Sequence, residues 1–137
     1  MTGTWKLDRG RSEFAFLAPP RTRVDVVVHT NDARTGDAIS IRTTQKDTNG
    51  TTIVERSFQI GGDAVDVEIR GRIRRVSGRW DGGELVISTE SEVSGNARRI
   101  EDRWRLSEDG KTIFISRLHE QPGGAVRQVL AMAKQAR

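Results

Sequence analysis

Between Ala38 and Leu106, apolar and polar residues alternate with a period of two through six consecutive segments, and one inside/outside assignment fits them all. Side chains of a strand point alternately to opposite faces, so a slip of one residue would set apolar rows against charged ones. Asn49-Gly50 has the composition of a two-residue hairpin turn that accepts φ > 0. Closed there, Ile41 falls opposite Phe58, Thr43 opposite Arg56 and Gln45 opposite Val54. A turn at Gly61-Gly62, closing Ile60 on Asp63, sets Phe58 beside Val65 and Val54 beside Ile69. Gly95-Asn96 pairs Leu85 with Leu106, Ile87 with Trp104 and Thr89 with Asp102. The pattern specifies an antiparallel meander with one dry face and one wet face.

The flanking sequence extends the meander. Residues 3–8 read as a short first strand, and residues 9–21, broken by Pro19-Pro20, as a loop with Phe14, Phe16 and Leu17 available to cap an open end. Val24, Val26 and Val28 alternate with Arg23, Asp25 and His29 in a half-buried strand, with Val27 out of pattern. A loop through Thr35-Gly36-Asp37 leads to a strand from Ala38 to Asp47, and further strands are expected at about 51–60, 63–70, 72–80, 84–93, 97–106 and 112–121. Gly71, Asp81-Gly82-Gly83, Ser94-Gly95-Asn96, Glu108-Asp109-Gly110 and Pro122-Gly123-Gly124 punctuate them. In the last segment, Val126, Gln128, Leu130 and Met132 fit a closing strand, while Val126, Leu130 and Ala133 fit a helix; the strand is favoured. The expected fold is all-β: a single domain over residues 1–137, an antiparallel up-and-down meander of about 8–10 strands closed into a barrel. Closure removes the two exposed edges of an open sheet. A flattened two-sheet sandwich is the rival.

Hydrophobic residues make up 34% and charged residues 31% of the 137, which suits a sheet with one fully charged face. No apolar run approaches the length of a membrane helix. No signal-peptide core stands at the start, so the chain reads as either cytosolic or an already mature exported domain. Absence of cysteine excludes disulfides and thiolate chemistry. The net charge is +4, and 19 of the 23 basic residues are arginine. Many face acids in the expected register: Arg79 lies opposite Glu84, Glu92 faces Arg99, and Glu90 lies diagonal to Arg99 and Arg103. With no Tyr, and with Phe and Trp mostly on the inward parity, the stacking platform of a nucleic-acid binder is not expected.

The inward parity carries polar residues, and these are the functional clue. Along residues 97–106 the outward face is Arg99, Glu101, Arg103 and Arg105, and the inward face is Arg98, Ile100, Asp102, Trp104 and Leu106. A turn at Arg70-Gly71 puts Val67 beside Arg74, and an Asp81-Gly82 turn sets Arg74 opposite Thr89. One lateral row then reads Thr43, Arg56, Val67, Arg74, Thr89, Asp102. Closing on Gly82-Gly83 instead slides Arg74 to Ser91 and keeps it inside. An unpaired buried charge is costly, so these groups need partners. One resolution is a satisfied network, with Asp102 bridging an arginine and Thr89 donating to the carboxylate. In another, two central arginines against one carboxylate leave a surplus guanidinium for an anionic head group. The candidate ligand-binding set is Arg56, Arg74, Asp102, Thr89, Thr43, Trp104, Phe58 and Ile87.

Histidine offers less. His29 falls on the outward parity. A three-residue loop with Gly110 in the left-handed region turns His119 out and Phe114 and Leu118 in, and matches Glu101 with Arg117. A four-residue loop brings Ile113, Ile115, Arg117 and His119 inward. The first is favoured. Two histidines and no cysteine make a metal site unexpected, and no cofactor-binding, phosphate-loop, Ser-His-Asp or paired-carboxylate motif stands out.

Gly3-Thr4-Trp5 resembles the Gly-x-Trp signature that opens the first strand of lipocalins and fatty-acid-binding proteins. The stretch Arg103-Trp104-Arg105-Leu106-Ser107-Glu108-Asp109-Gly110-Lys111-Thr112 resembles the penultimate hairpin of small bacterial lipocalin-like proteins. The resemblance implies a calycin-type barrel in which Trp5 packs across the closed end and the lumen holds a small hydrophobic molecule. It also suggests export, with which the start at Gly3-Thr4-Trp5 is compatible. The chain departs from the pattern in lacking the lipocalin disulfides and any Thr-Asp-Tyr motif, and residues 9–21 are too short for the helical lid of fatty-acid-binding proteins. The function expected is non-enzymatic binding of a small hydrophobic or amphipathic ligand, anions included, in the lumen. The alternative is acid–base chemistry on a hydrophobic substrate, an isomerase, cyclase or hydrolase with Asp102 as base.

Overall fold

A computed structural model describes residues 1–15, 17–34 and 36–136. Its strands are β1 (Gly3–Leu7), β2 (Thr22–Asp32), β3 (Gly36–Asp47), β4 (Gly50–Gln59), β5 (Val65–Ile69), β6 (Arg72–Asp81), β7 (Glu84–Val93), β8 (Asn96–Leu106), β9 (Thr112–Gln121) and β10 (Gly124–Lys134). A single 3-10 turn at Arg9–Arg11 is the only helix among the described residues, and none is long and apolar enough to cross a membrane. All ten strands form one antiparallel sheet in the order β4-β3-β2-β1-β10-β9-β8-β7-β6-β5. The last strand thus pairs with the first, Trp5 beside Lys134, and the C-terminal segment is a strand.

Closure is nearly complete and is interrupted between β4 and β5. The Gly61-Gly62 segment does not zip those strands into the expected hairpin, and they stand as the two ends of the sheet order. Instead the chain leaving β4 crosses to β6: Gly61 N–H donates to the Gly78 carbonyl at 2.7 Å, and Ile60 N–H to the Asp37 carbonyl at 2.8 Å. Gly78 permits this approach, since a Cβ there would lie 2.4 Å from Phe58 Cε2. Trp80 Nε1 donates to Asp37 Oδ2 at 2.6 Å, tying β6 to β3 over the same end.

Three hairpins depart from the expected pairing, each by two residues. The β3–β4 turn closes on Asp47 and Gly50, so Ile41 faces Arg56 and Ile39 faces Phe58. Asp47 Oδ1 accepts the Asn49 N–H at 2.8 Å, which fixes the turn one residue earlier than Asn49-Gly50. In β7–β8 the turn residues are Ser94 and Gly95, with φ of 52° and 80°; this places glycine second, as a type I′ turn prefers. Leu85 therefore pairs with Trp104, Ile87 with Asp102, Thr89 with Ile100 and Glu90 with Arg99, while Glu92 meets Ala97. Between β6 and β7 the turn is Gly82-Gly83, the alternative register, so Val76 faces Thr89 and Arg79 faces Val86. The Arg70-Gly71 turn forms as expected and sets Val67 beside Arg74. A shift of two residues preserves facing, so the dry and wet faces of these strands survive, but the single lateral row through Thr43, Arg56, Arg74, Thr89 and Asp102 does not.

In β2 the alternating valines Val24, Val26 and Val28 lie on the outer side. Arg23, Asp25 and Val27 are buried, whereas Val26 and Val28 are exposed. Val27, the residue that broke the pattern, marks the true inner face. The core fills the end of the barrel near the β2–β3 and β6–β7 turns, with Trp5, Ile39, Ile41, Phe58, Leu85, Ile87, Trp104, Ile113, Ile115 and Met132 all buried. Trp5 Nε1 donates to the Met1 carbonyl at 2.9 Å.

Candidate functional site

Above this apolar floor the barrel interior turns polar. Arg23, Asp25, Thr43, Arg56, Asp102 and Gln128 are all buried, on β2, β3, β4, β8 and β10. Arg23 and Asp25, two apart on one strand, share a face and form a two-pronged pair: Nε donates to Oδ1 at 3.2 Å and Nη2 to Oδ2 at 2.9 Å. Arg117 on β9 faces Asp102 on β8 and donates Nε to Oδ1 at 2.8 Å and Nη2 to Oδ2 at 2.9 Å.

That second pair requires the four-residue loop after β8, and His119 faces in rather than out. Leu106 pairs with Ile113, and Ser107 N–H donates to the Thr112 carbonyl at 2.8 Å. Asp109 Oδ1 accepts from Ser107 Oγ and from Lys111 N–H, which stabilises the longer loop. Ile113 and Ile115 are then core, Arg117 and His119 line the interior, and Glu101 lies opposite Leu118. His119 Nε2 lies 2.9 Å from Gln128 Oε1, and Gln128 Nε2 donates to the Phe14 carbonyl at 3.3 Å, fastening the loop after β1 to the barrel. Phe14 and Leu17 border a small space beside that fastening; Phe16 lies outside the described residues.

The four-charge arrangement holds its carboxylates ionised. Burial would push Asp25 up, but the Arg23 charge and hydrogen bond, the Arg56 charge and the Thr43 hydroxyl outweigh it and bring the group below its ordinary value. Thr43 lies opposite Asp25 across the strands without a hydrogen bond of full geometry. Asp102 behaves alike: burial raises it, and Arg117, then Arg23 and Arg56, bring it down. Burial works against the Arg117 cation, yet Asp102 first and Asp25 last leave its pKa raised.

Arg56 is the odd charge. It is 7% exposed, it has no hydrogen-bond or ion-pair partner among the described residues, and its Nε is buried unsatisfied. Burial chiefly, with Arg23, depresses its pKa, and the charges of Asp25 and Asp102 only partly offset this. Three buried or half-buried guanidiniums thus meet two carboxylates, both already engaged.

Arg56 borders a cavity of about 280 Å³. Thr43, Arg56, Arg74, Thr89 and Asp102 of the candidate set all line it. Trp104, Phe58 and Ile87 do not; they belong to the packed floor, where the two-residue shifts and tight packing leave them against other side chains. The sequence reading missed Arg23, Gln45, Thr52, Arg70 and Arg117, which complete the polar wall; Val54, Ile69 and Ile100 supply the apolar part. The signals for the missed pair on β2 were Val27 and the Arg23/Asp25 spacing.

No protein-family model matches the chain, and no curated protein matches it in sequence. Solved structures do match in shape over nearly all of it. Zebrafish ileal bile acid-binding protein complexed with cholic acid superposes with a TM-score of 0.64 at 17% identity, covering 98% of each chain. The chain has the fatty-acid-binding-protein fold. A Schistosoma mansoni fatty acid binding protein in complex with arachidonic acid gives 0.58 at 16% identity, over 98% of this chain and 96% of that one. Secretory abundant heat soluble protein 4 from Ramazzottius varieornatus gives 0.60 at 16% identity, over 98% and 94%.

Proposed function

We propose that the protein is a non-enzymatic carrier or sensor of a small amphipathic anion, held in the barrel interior with its acidic group on Arg56. The observation that carries this reading is a guanidinium more than nine-tenths buried, bordering open space and without a hydrogen-bond or ion-pair partner among the described residues. Leaving such a group unpaired costs several kcal/mol by the usual scale, roughly 3–5 when a partner is removed. A carboxylate or sulfonate entering the cavity would recover that cost through charge-assisted hydrogen bonds. Val54, Ile69 and Ile100 offer its apolar body a wall. Similarity in shape to proteins solved with cholic and arachidonic acid supports the same class of ligand.

The acid–base alternative needs Asp102 as a base. That carboxylate is locked by both oxygens to Arg117 and its pKa is lowered, which makes it a poor proton acceptor at neutral pH. Binding is therefore the reading favoured.

Titration with 8-anilinonaphthalene-1-sulfonate, followed by displacement with decanoate, tests it. Expected are saturable one-to-one uptake, competition by decanoate, and loss of at least about tenfold in affinity for both in Arg56→Gln. Absence of uptake by the unaltered protein, or an Arg56→Gln variant that binds equally well, would overturn it.

A further inference from the structure

The interior continues past the Arg56 chamber toward the end of the barrel that carries the Arg70-Gly71 and Ser94-Gly95 turns. A second space of about 300 Å³ lies there, and Arg74, Thr89 and Ile100 are walls of both. The facing rule that holds through these strands puts Arg72 and Arg74 of β6 and Arg98 of β8 on the inner side of this mouth. The inner positions of β5, β6, β7 and β9 carry no carboxylate, and the one on β8, Asp102, lies deeper and is taken by Arg117. Glu120, at the border, is on the outer phase of β9 and pairs in register with Arg99. Among the described residues Arg98 reaches only the amide oxygen of Gln121, at 3.5 Å.

Arg74 is the most enclosed of the three. It is half-buried, its Nε is buried without a partner, and among the described residues no hydrogen bond or ion pair engages it. Its pKa is depressed first by burial and then by Arg70 and Arg72, both cations. Arg70 itself is engaged at the rim, 3.5 Å from Asp47 Oδ2. Arg56 borders the inner chamber alone, whereas Arg74 borders both. The two unpartnered guanidiniums therefore stand at different places along one continuous space, with Ile100 on the wall that both chambers share, rather than as two arms of one clamp.

We propose that the mouth chamber is a second anionic subsite centred on Arg74, so that the ligand class is a diacid. Its apolar middle would lie along Ile100 and Ile69, with one acidic group on Arg56 and the other on Arg74. This rests on the reading of the Arg56 chamber given above. A monoanion leaves Arg74 uncompensated; a diacid neutralises both. Arg72 and Arg98 would draw the outer group in from solvent.

Calorimetric titration at pH 7.5 with linear α,ω-dicarboxylates from octanedioate to tetradecanedioate, each against the monocarboxylate of equal carbon number, tests this. At least one dicarboxylate is expected to bind about tenfold or more tightly than its monoacid, one charge-assisted contact's worth. In Arg74→Gln that advantage of diacid over monoacid should fall below about twofold; Arg56→Gln should weaken both series. Arg74 lies at the mouth and outside the packed core, and an unchanged thermal midpoint verifies the folding of its variant. Monoacids that bind as tightly as every diacid, or a diacid advantage that survives Arg74→Gln, overturn the second subsite and leave the first standing. If neither series binds, the Arg56 reading fails and the diacid proposal fails with it.

Discussion

The two halves of this barrel are built from the same strands and solve opposite problems. In the closed half the packed interior is apolar, and Trp5, Trp104, Leu85, Ile113 and Ile115 are essentially inaccessible. In the other half the same strands present Arg23, Asp25, Arg56, Asp102 and Arg117 to the interior, two pairs and a remainder. Apolar burial is non-directional and stabilises in proportion to area. Buried charge stabilises little and demands particular partners. The contrast teaches where this fold keeps its stability and where it leaves charge unpaired: the floor holds the barrel together, and the waist buries a guanidinium, Arg56, that no described carboxylate pairs.

The comparison breaks first at Trp104. Trp104→Ala should cost about 3–5 kcal/mol, since the site is fully buried and the floor can collapse only partly; a denaturant midpoint lowered by much less would mean the floor is not the stabilising half. Asp102→Ala comes next. Arg117 would be left in the interior without its carboxylate, and a loss of about 3 kcal/mol is expected, toward the low end for broken buried pairs because the cavity lets water approach. Asp102→Asn should recover little of it.

Acid probes the same pairs together. Asp25 and Asp102 have folded pKa values below the ordinary carboxylate value of about 3.9. Their contribution is therefore complete above that value and is lost as pH falls below it, through the lower folded values. Melting temperature should be flat in this respect from neutrality to about pH 4 and then fall, less steeply in Asp102→Asn. Arg56→Met sharpens the contrast from the other side. Removing an unpartnered buried cation in favour of an apolar chain should leave stability unchanged or raise it by about 1 kcal/mol, while anion uptake disappears. A clear loss of stability would show that Arg56 serves the fold. The smallest effect belongs to the wet face. Glu101, next to Asp102 in sequence, meets Arg99 at 3.5 Å and Arg79 at 3.9 Å on the outside, and Glu101→Ala should cost about 0–1 kcal/mol in the same denaturant assay.

Much of this was legible in the chain because facing depends only on period. Asp102 inside and Glu101 outside follow from alternation along β8, whichever turn closes the hairpin. The partners were harder. The expected Thr89–Asp102 neighbours are two positions off because Ser94-Gly95 turns the chain, and the partner of Asp102 is Arg117, reached through a loop whose length Ser107 and Asp109 decide. On β2, three alternating valines read as the inner face, yet β-branched residues suit the outer face of a sheet equally well. What puts Arg23 and Asp25 inside is that they satisfy one another.

Period and turn residues by themselves determined the antiparallel meander, the two faces of the strands from Ala38 to Leu106, and the presence of arginines and one carboxylate within. Those are local properties, carried by two-residue alternation and by glycines that accept φ > 0. Tertiary structure decided which charges pair, where the seam between β4 and β5 falls, and that Arg56 and Arg74 are left over. A hairpin shift of two residues keeps every face and changes every partner, so alternation cannot report it. Only the assembled barrel brings β2, β4, β8 and β9 around one space and shows which guanidinium has no carboxylate to meet.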